Sequence, residues 1–391
     1  MNKSILPAAC LAAASVLSGC ATTSEPPRMQ LLQRYDARVG NDGIRIAPRM
    51  VRSWIETVGA ESASATLMAR VQPNQSIGGL ALTATGDALL FSVIETINSG
   101  EVDDKKQGKQ NAEAKRRAEE VAKLGGVTLG LADDGRKVQA NIRLMKAVQG
   151  GGITTITNGS WTDVQPAVGP GGTVTFAANR MRPKGVDLFR ISSDRPGGVS
   201  VVRQGSEGLS SNPSLARDGT MAYEFRPIYP GIVGESTPQI WLQGGSAAYP
   251  TQLREGSEPS ISPDGSEITY IGTDGQLWTM PVSGQNPVQL TTTKNPSNPA
   301  APGQIMTKHS PTWTPDGAGI VYVAADGKDE QGLPNYDIWL IPKSGGIPKQ
   351  LTSNGSEERN PALDPEQEWI YFVSDRGFRE GIWRIPFPTE Q

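Results

Sequence analysis

Histidine is almost missing from this chain: there is one, His309, in 391 residues. A Ser-His-Asp or Cys-His system could therefore be assembled in only one place, and no Gly-x-Ser-x-Gly elbow accompanies it. Cysteine is nearly as scarce, with two, so metal sites built from clustered His and Cys are excluded. The acidic run Asp326-Gly327-Lys328-Asp329-Glu330 lacks the spaced oxygen ligands of a calcium loop and reads as a solvated loop. Lys and Arg total 37 against 40 Asp and Glu, a net charge of −3, without the basic surplus that nucleic-acid binding needs. No segment supplies the roughly 18 uninterrupted apolar residues of a membrane-crossing helix. The expectation is a protein without catalytic residues, metal, cofactor or nucleic-acid partner.

The N-terminus carries the sharpest local signal. Lys3 precedes an apolar run from Ile5 to Leu17, and the run ends Leu17-Ser18-Gly19-Cys20. That order resembles the bacterial lipobox, with Cys20 as the lipid acceptor and residues 1–19 as the signal peptide removed ahead of it. Cys10 would leave with the signal, so the mature chain keeps one cysteine and forms no internal disulfide. Ala21 stands where an inner-membrane retention signal would place Asp. The expected location is the periplasmic face of the outer membrane, held by acyl chains worth about 0.8 kcal/mol per buried CH2.

Glycine and proline are abundant, 45 and 30, and they punctuate a repeat. Ser262-Pro263-Asp264-Gly265 is followed by Ile268-Thr269-Tyr270, Leu277-Trp278-Thr279-Met280-Pro281 and Gln289-Leu290-Thr291. The same order returns from Thr314-Pro315-Asp316-Gly317 to Gln350-Leu351-Thr352, and from Asp364-Pro365-Glu366-Gln367 to Ile385-Pro386. Weaker copies begin at Gly169 and Ala216. Turn ends at 172, 219, 265, 317 and 367 are spaced by 47, 46, 52 and 50 residues, the period of a propeller blade. Each copy predicts strands A and B about a tight turn, then strands C and D. The Trp and Tyr of strands B and C are expected between blades.

A sixth copy starts at Leu82-Thr83-Ala84-Thr85-Gly86, with strand C at Asn141 to Lys146 and strand D at Ile153 to Thr157. The excess falls in residues 98–139. It includes a charged stretch, Asp103 to Lys123, with Ala114, Ala118, Val121 and Ala122 at helical spacing. The rival reading makes Ala132-Asp133-Asp134-Gly135 a seventh blade turn, but only nine residues then separate Gly135 from Leu144. The last copy stops after strand C, so residues 65–71 are expected to pair with 381–386 and close the ring. Residues 20–64 are expected to form a tether and a short helix, with Met50, Val51, Trp54, Ile55 and Val58 as its apolar stripe. The fold class is thus all-β: a six-bladed β-propeller over 65–391, with a short helical N-terminal preface and a helical insertion in the first blade.

Together, the Ser-Pro-Asp-Gly, Trp and Gln-Leu-Thr elements resemble the TolB-type, WD-like propeller repeat over roughly residues 65–391. The resemblance implies a periplasmic propeller that binds a peptidoglycan-associated outer-membrane lipoprotein and links to an inner-membrane energy-coupling system. The chain departs from that family in two ways. Only about 45 residues separate Cys20 from the first strand, where TolB proteins carry an α/β domain, and this chain should be tethered where TolB is released. The functional expectation is a monomeric, non-catalytic interaction scaffold whose partner is an envelope protein, such as a peptidoglycan-associated lipoprotein or a transport component. The alternatives are a carbohydrate-active lyase or glycosidase with paired carboxylates in the channel, and an assembly role that uses the 103–123 segment.

Topology nominates a binding face. Residues entering each strand A should ring one mouth of the channel: Gln165, Asn212, Glu258, His309 with Ser310, and Arg359 with Asn360. Each of these residues or pairs stands just before a Pro and is expected in extended conformation. The B–C loops open on the same side and add Arg180, Arg182, Arg226 and Arg376. Asn212, Arg226, Glu258, His309, Arg359, Asn360 and Arg376 are the expected partner-binding residues. His309 is expected to act as a hydrogen-bonder.

Overall fold

The structure, a computed structural model, describes residues 65–72, 75–96, 138–181, 185–191, 198–203, 208–228, 236–244, 249–292, 308–328, 334–353, 356–376 and 380–388. The expected signal sequence, Cys20, the tether and helical preface expected over 20–64, the helical insertion expected around 103–123 and Arg182 lie outside the described residues.

The described strands form six four-stranded antiparallel sheets. In the order A, B, C, D, blade 1 is Gln75–Leu82, Ala88–Thr96, Val138–Lys146 and Ile153–Thr155. Blade 2 is Asp163–Val168, Val174–Ala178, Asp187–Ile191 and Val199–Arg203. Blade 3 is Gly208–Leu215, Met221–Pro227, Gln239–Gln243 and Thr251–Glu255. Blade 4 is Ser257–Ile261, Glu267–Ile271, Leu277–Pro281 and Val288–Gln289. Blade 5 is Lys308–Trp313, Gly319–Lys328, Pro334–Pro342 and Lys349–Gln350. Blade 6 takes its A, B and C strands from Glu358–Leu363, Trp369–Ser374 and Gly381–Pro386, and its D strand from Thr66–Arg70 at the other end of the chain.

The repeated turn is made by its own side chains. In blade 4 the Ser262 hydroxyl donates to Asp264 Oδ1 at 2.6 Å and accepts the Glu267 N–H at 2.9 Å. Asp264 Oδ1 also takes the Ser266 N–H at 3.0 Å, and these donors pull its carboxyl down to about 2. Gly265 closes the turn at φ +75°, a left-handed conformation that glycine adopts without a Cβ penalty. Thr314 and Asp316 repeat the pattern in blade 5. In blade 6 Asp364 does the serine's work on the Trp369 N–H at 2.8 Å, and Gln367 takes the glycine place at φ +59°.

The threonine of the Gln-Leu-Thr element has an equally local role. One residue past the end of the C–D pairing, a strand C N–H would be left without a partner from strand D. Thr157, Thr291 and Thr352 accept the N–H of Ile142, Leu277 and Ile338, each at 2.9 Å. The pattern therefore records how strand D stitches back onto strand C.

A single blade cannot bury both of its faces, and the core divides accordingly into six apolar clusters, one per seam. Leu90 and Ile142 of blade 1 meet Phe176 and Phe189 of blade 2. Leu188 of blade 2 meets Tyr223 of blade 3, and Ile240 of blade 3 meets Tyr270 of blade 4. Leu277 of blade 4 meets Tyr322 and Trp339 of blade 5, and Val323 of blade 5 meets Phe372 and Trp383 of blade 6. The sixth cluster joins Tyr371 and Ile382 of blade 6 to Leu89 and Phe91 of blade 1, with Met68 between them. Tyr223, Tyr270, Tyr322, Tyr371 and Trp339 are all buried, as expected for seam fillers. Burial pushes the Tyr270 hydroxyl up to about 12.

The ring closes as the repeat arithmetic requires. Thr66, Leu67, Ala69 and Arg70 pair antiparallel with Arg384, Trp383, Ile382 and Gly381, and the Val71 N–H reaches Glu380 O at 3.2 Å. First and last strands thus share one sheet, and blade 6 has no bare outer edge at strand C.

Candidate functional site

All six A strands break register within their first four residues, by a β-bulge. The extra residue is Gln165, Asn212, Glu258, Ser310 or Asn360, each just before a proline. Their φ values are +54°, +49°, +50°, +47° and +50°. The extended conformation expected from the following proline is therefore corrected: these residues are left-handed. A following proline disfavours the right-handed α region, but the bulge needs a residue that turns its N–H out of the ladder. Blade 1 has Gly78-Gly79 across the break, Gly79 at φ +151° standing in the prolines' place, and a Cβ on it would come within 3.0 Å of Gln165 Cα.

The N–H turned out of the ladder is caught by the preceding blade. Asn212 N–H donates to Gln165 Oε1 at 2.9 Å, Glu258 N–H to Glu224 Oε2 at 3.1 Å, and Ser310 N–H to Glu258 Oε2 at 2.5 Å. These residues and their prolines line a central channel with a cavity of about 300 Å³.

Four of the expected binding residues come together through this network. Glu224 accepts from Asn212 Nδ2 at 3.0 Å and from Arg226 Nη2 at 3.1 Å, besides the Glu258 N–H. Glu258 Oε1 lies 3.1 Å from His309 Nδ1, and the His309 ring meets the edge of Tyr336 at 5.5 Å. A continuous polar chain thus runs from blade 2 to blade 5. His309 is 39% exposed and Glu258 28%, so both can be reached from the mouth. Asn360 lines the channel on the blade 6 side.

Three other residues are held elsewhere. Arg359 joins blade 6 to blade 1: its Nη2 pairs with Glu380 Oε2 at 2.6 Å and donates to Ile77 O at 3.3 Å, while Glu380 Oε2 takes the Ile77 N–H at 2.7 Å. Arg180 makes a two-pronged pair with buried Asp163, Nε to Oδ1 at 2.8 Å and Nη2 to Oδ2 at 2.6 Å. Arg376 is corrected outright as a surface group. It is 1% exposed, and its guanidinium lies on Glu358 and over the rings of Phe372 and Trp383. A B–C loop was expected to put the charge in water, but this one folds it back into the seam.

Sequence reading passed over Glu224, Glu380 and Tyr336. Glu224 left a trace, as the one acid inside the apolar strand Met221–Pro227. Glu380 and Tyr336 gave no local signal, since their roles exist only once distant blades meet.

The clamp at Ile77 carries a prediction. Arg359→Ala removes a charge-assisted pair and one anchor of the blade 1 backbone. It should lower unfolding free energy by about 1–2 kcal/mol, read as a shift in the urea midpoint at unchanged slope. An unchanged midpoint would show that the pair does not bear on closure.

Fold and mouth together define the class: a closed six-bladed β-propeller whose repeat carries the TolB-type elements and whose channel opens through a polar ring. No family model matches the chain. Among curated proteins it is similar to the uncharacterized peptidase YuxL of Bacillus subtilis, at 24% identity over 42% of this chain and 29% of that protein. The chain thus spans less than a third of that relative's length. Among solved structures it resembles TolB from Acinetobacter baumannii at 14% identity, covering 82% of this chain and 84% of that one with a TM-score of 0.46. It also resembles an oligogalacturonate lyase from Vibrio parahaemolyticus at 11% identity, covering 84% and 96%, with a TM-score of 0.48.

Proposed function

We propose that this chain is a non-catalytic propeller, anchored through Cys20 to the periplasmic face of the outer membrane, that binds an envelope protein at its channel mouth. The observation that supports this reading most is the polar chain from Gln165 to Tyr336. It holds a carboxylate and an imidazole in fixed pose at the mouth, so little ordering cost remains when a partner arrives. Mixed sign and hydrogen-bonding capacity suit a protein surface, and the chain's single histidine rules out histidine-cluster chemistry in the channel. By the TolB-type resemblance of its repeat, the partner to try first is a peptidoglycan-associated lipoprotein.

The test is a calorimetric titration of the mature chain with the periplasmic part of such a lipoprotein. Glu258→Ala and His309→Ala are each expected to weaken binding at least tenfold, about 1.4 kcal/mol, with the fold unchanged by circular dichroism. Binding that is indifferent to both variants would move the interface off the mouth. Release of an unsaturated product from oligogalacturonate by the wild-type chain would replace this reading with a lyase.

A further inference from the structure

At the mouth end of the seam between blades 5 and 6, the strand D threonine has one acidic neighbour too many. Thr352 Oγ1 accepts the Ile338 N–H at 2.9 Å, and it lies 3.1 Å from Asp337 Oδ1 and 3.2 Å from Glu358 Oε2. A hydroxyl has a single proton to give. If both carboxyls were ionised, one of these contacts would set lone pair against lone pair, and neither acid has recourse to solvent, since both are fully buried. The preceding seam avoids the problem. There Thr291 faces the amide oxygen of Gln276 at 3.2 Å, and Lys308 holds the strand A place that Glu358 fills in blade 6.

Charge counting gives the same answer. Arg376 donates Nε and Nη2 to Glu358 Oε1 at 3.2 and 3.1 Å, and Ser374 Oγ donates to the same oxygen at 2.9 Å. Asp337 Oδ2 accepts from Asn335 Nδ2 at 3.1 Å and Gln350 Nε2 at 3.3 Å. Glu358 Oε1 and Asp337 Oδ2 are thus each supplied with donors, and a shared proton falls to the oxygens that meet the Thr352 hydroxyl, Glu358 Oε2 and Asp337 Oδ1. With one proton on the two acids, the Arg376 guanidinium stands against a single remaining carboxylate. We propose that Asp337 and Glu358 hold a single proton between them at neutral pH, and that the blade 5–blade 6 seam loosens at the channel mouth when that proton is lost.

The proposal is independent of the partner-binding reading. Burial pushes the Glu358 carboxyl up from its ordinary 4.5, with Arg376 and Ser374 pulling the other way. A carboxyl raised in the folded state contributes stability that is complete below its unfolded pKa and is lost as pH rises through the folded value. Other charges border the site. Glu357 and Asp375 flank it, with Asp375 Oδ1 taking the Glu357 N–H at 2.9 Å, and Lys308 and His309 head the neighbouring strand A of blade 5. Burial alone lowers the Lys308 ammonium to about 8 from 10.5, so its contribution has the opposite sign and rises with pH in a separate, alkaline window.

The experiment therefore stays between about pH 5 and about pH 7.5, below the Lys308 window. Urea unfolding of the mature chain is compared with that of Asp337→Asn, whose amide can donate to an ionised Glu358. The variant should gain on the wild type as pH rises, with the two urea midpoints diverging across the range. Infrared spectra at neutral pH should show the carbonyl stretch of a buried carboxylic acid in the wild type and lose it in both Asp337→Asn and Glu358→Gln. Glu358→Gln keeps shape and neutrality, so it serves if the first variant does not fold, and its midpoint should also lack the wild type's extra pH dependence. Parallel midpoint curves, or a wild type without the acid band, would overturn the proposal.

Discussion

A chain lacking residues 65–71 is expected to accumulate as aggregate rather than as a slightly weakened propeller. The missing segment is the outer strand of blade 6, and it pairs with Gly381–Arg384 along its length. Without it strand C of the last blade becomes a bare edge, and Met68, 2% exposed, no longer fills the cluster that joins Tyr371 and Ile382 to Leu89 and Phe91. A milder probe is Met68→Asp, which puts an unpaired carboxyl into that cluster. We expect a loss of at least about 4 kcal/mol, against a total stability on the order of 5–15 kcal/mol for a domain. Soluble yield and a thermal melt by circular dichroism decide the matter. A truncated chain that melts with the wild type would show that the ring holds without its closing strand.

Nearly as large a loss is expected from Arg180→Ala. Asp163 is wholly buried at the head of blade 2, and both its oxygens are taken by the Arg180 guanidinium, which is 17% exposed. Removing the cation leaves an uncompensated charge in the seam, typically about 3–5 kcal/mol. The pair itself need not be so valuable. The equivalent head position in blade 3 is Ser210, also buried, so the double replacement of Asp163 by Ser and Arg180 by Leu should recover most of the loss. Urea unfolding of the three variants separates the cost of a stranded charge from the worth of the pair. Equal losses in single and double variants would mean that the guanidinium packs, over Phe176 at 5.6 Å, more than it neutralises.

The fold was legible because its signals are local and repeated. Each Ser-Pro-Asp-Gly turn and each Gln-Leu-Thr strand is stabilised by side chains within a few residues of it in sequence or in the same blade, as Ser262 with Asp264 and Thr291 with Leu277 show. Closure was legible by counting strands. The mouth was legible only as a list of positions. That Glu258 takes the N–H of Ser310, 52 residues on, or that Arg359 grips Ile77, 282 residues back, depends on which blade is whose neighbour and how each bulge turns its backbone. The left-handed residue before each proline is a case in point: the local preference named a region to avoid, and the adjoining blade chose among those that remained.

Those grips all run one way. Gln165 holds the blade after it, Glu224 holds the next, and Glu258 the next again, while between blades 4 and 5 the Trp313 Nε1–H answers by donating to Ser260 O at 3.0 Å. The rim of this pore is a series of handholds, each reaching forward in the order in which the chain was wound.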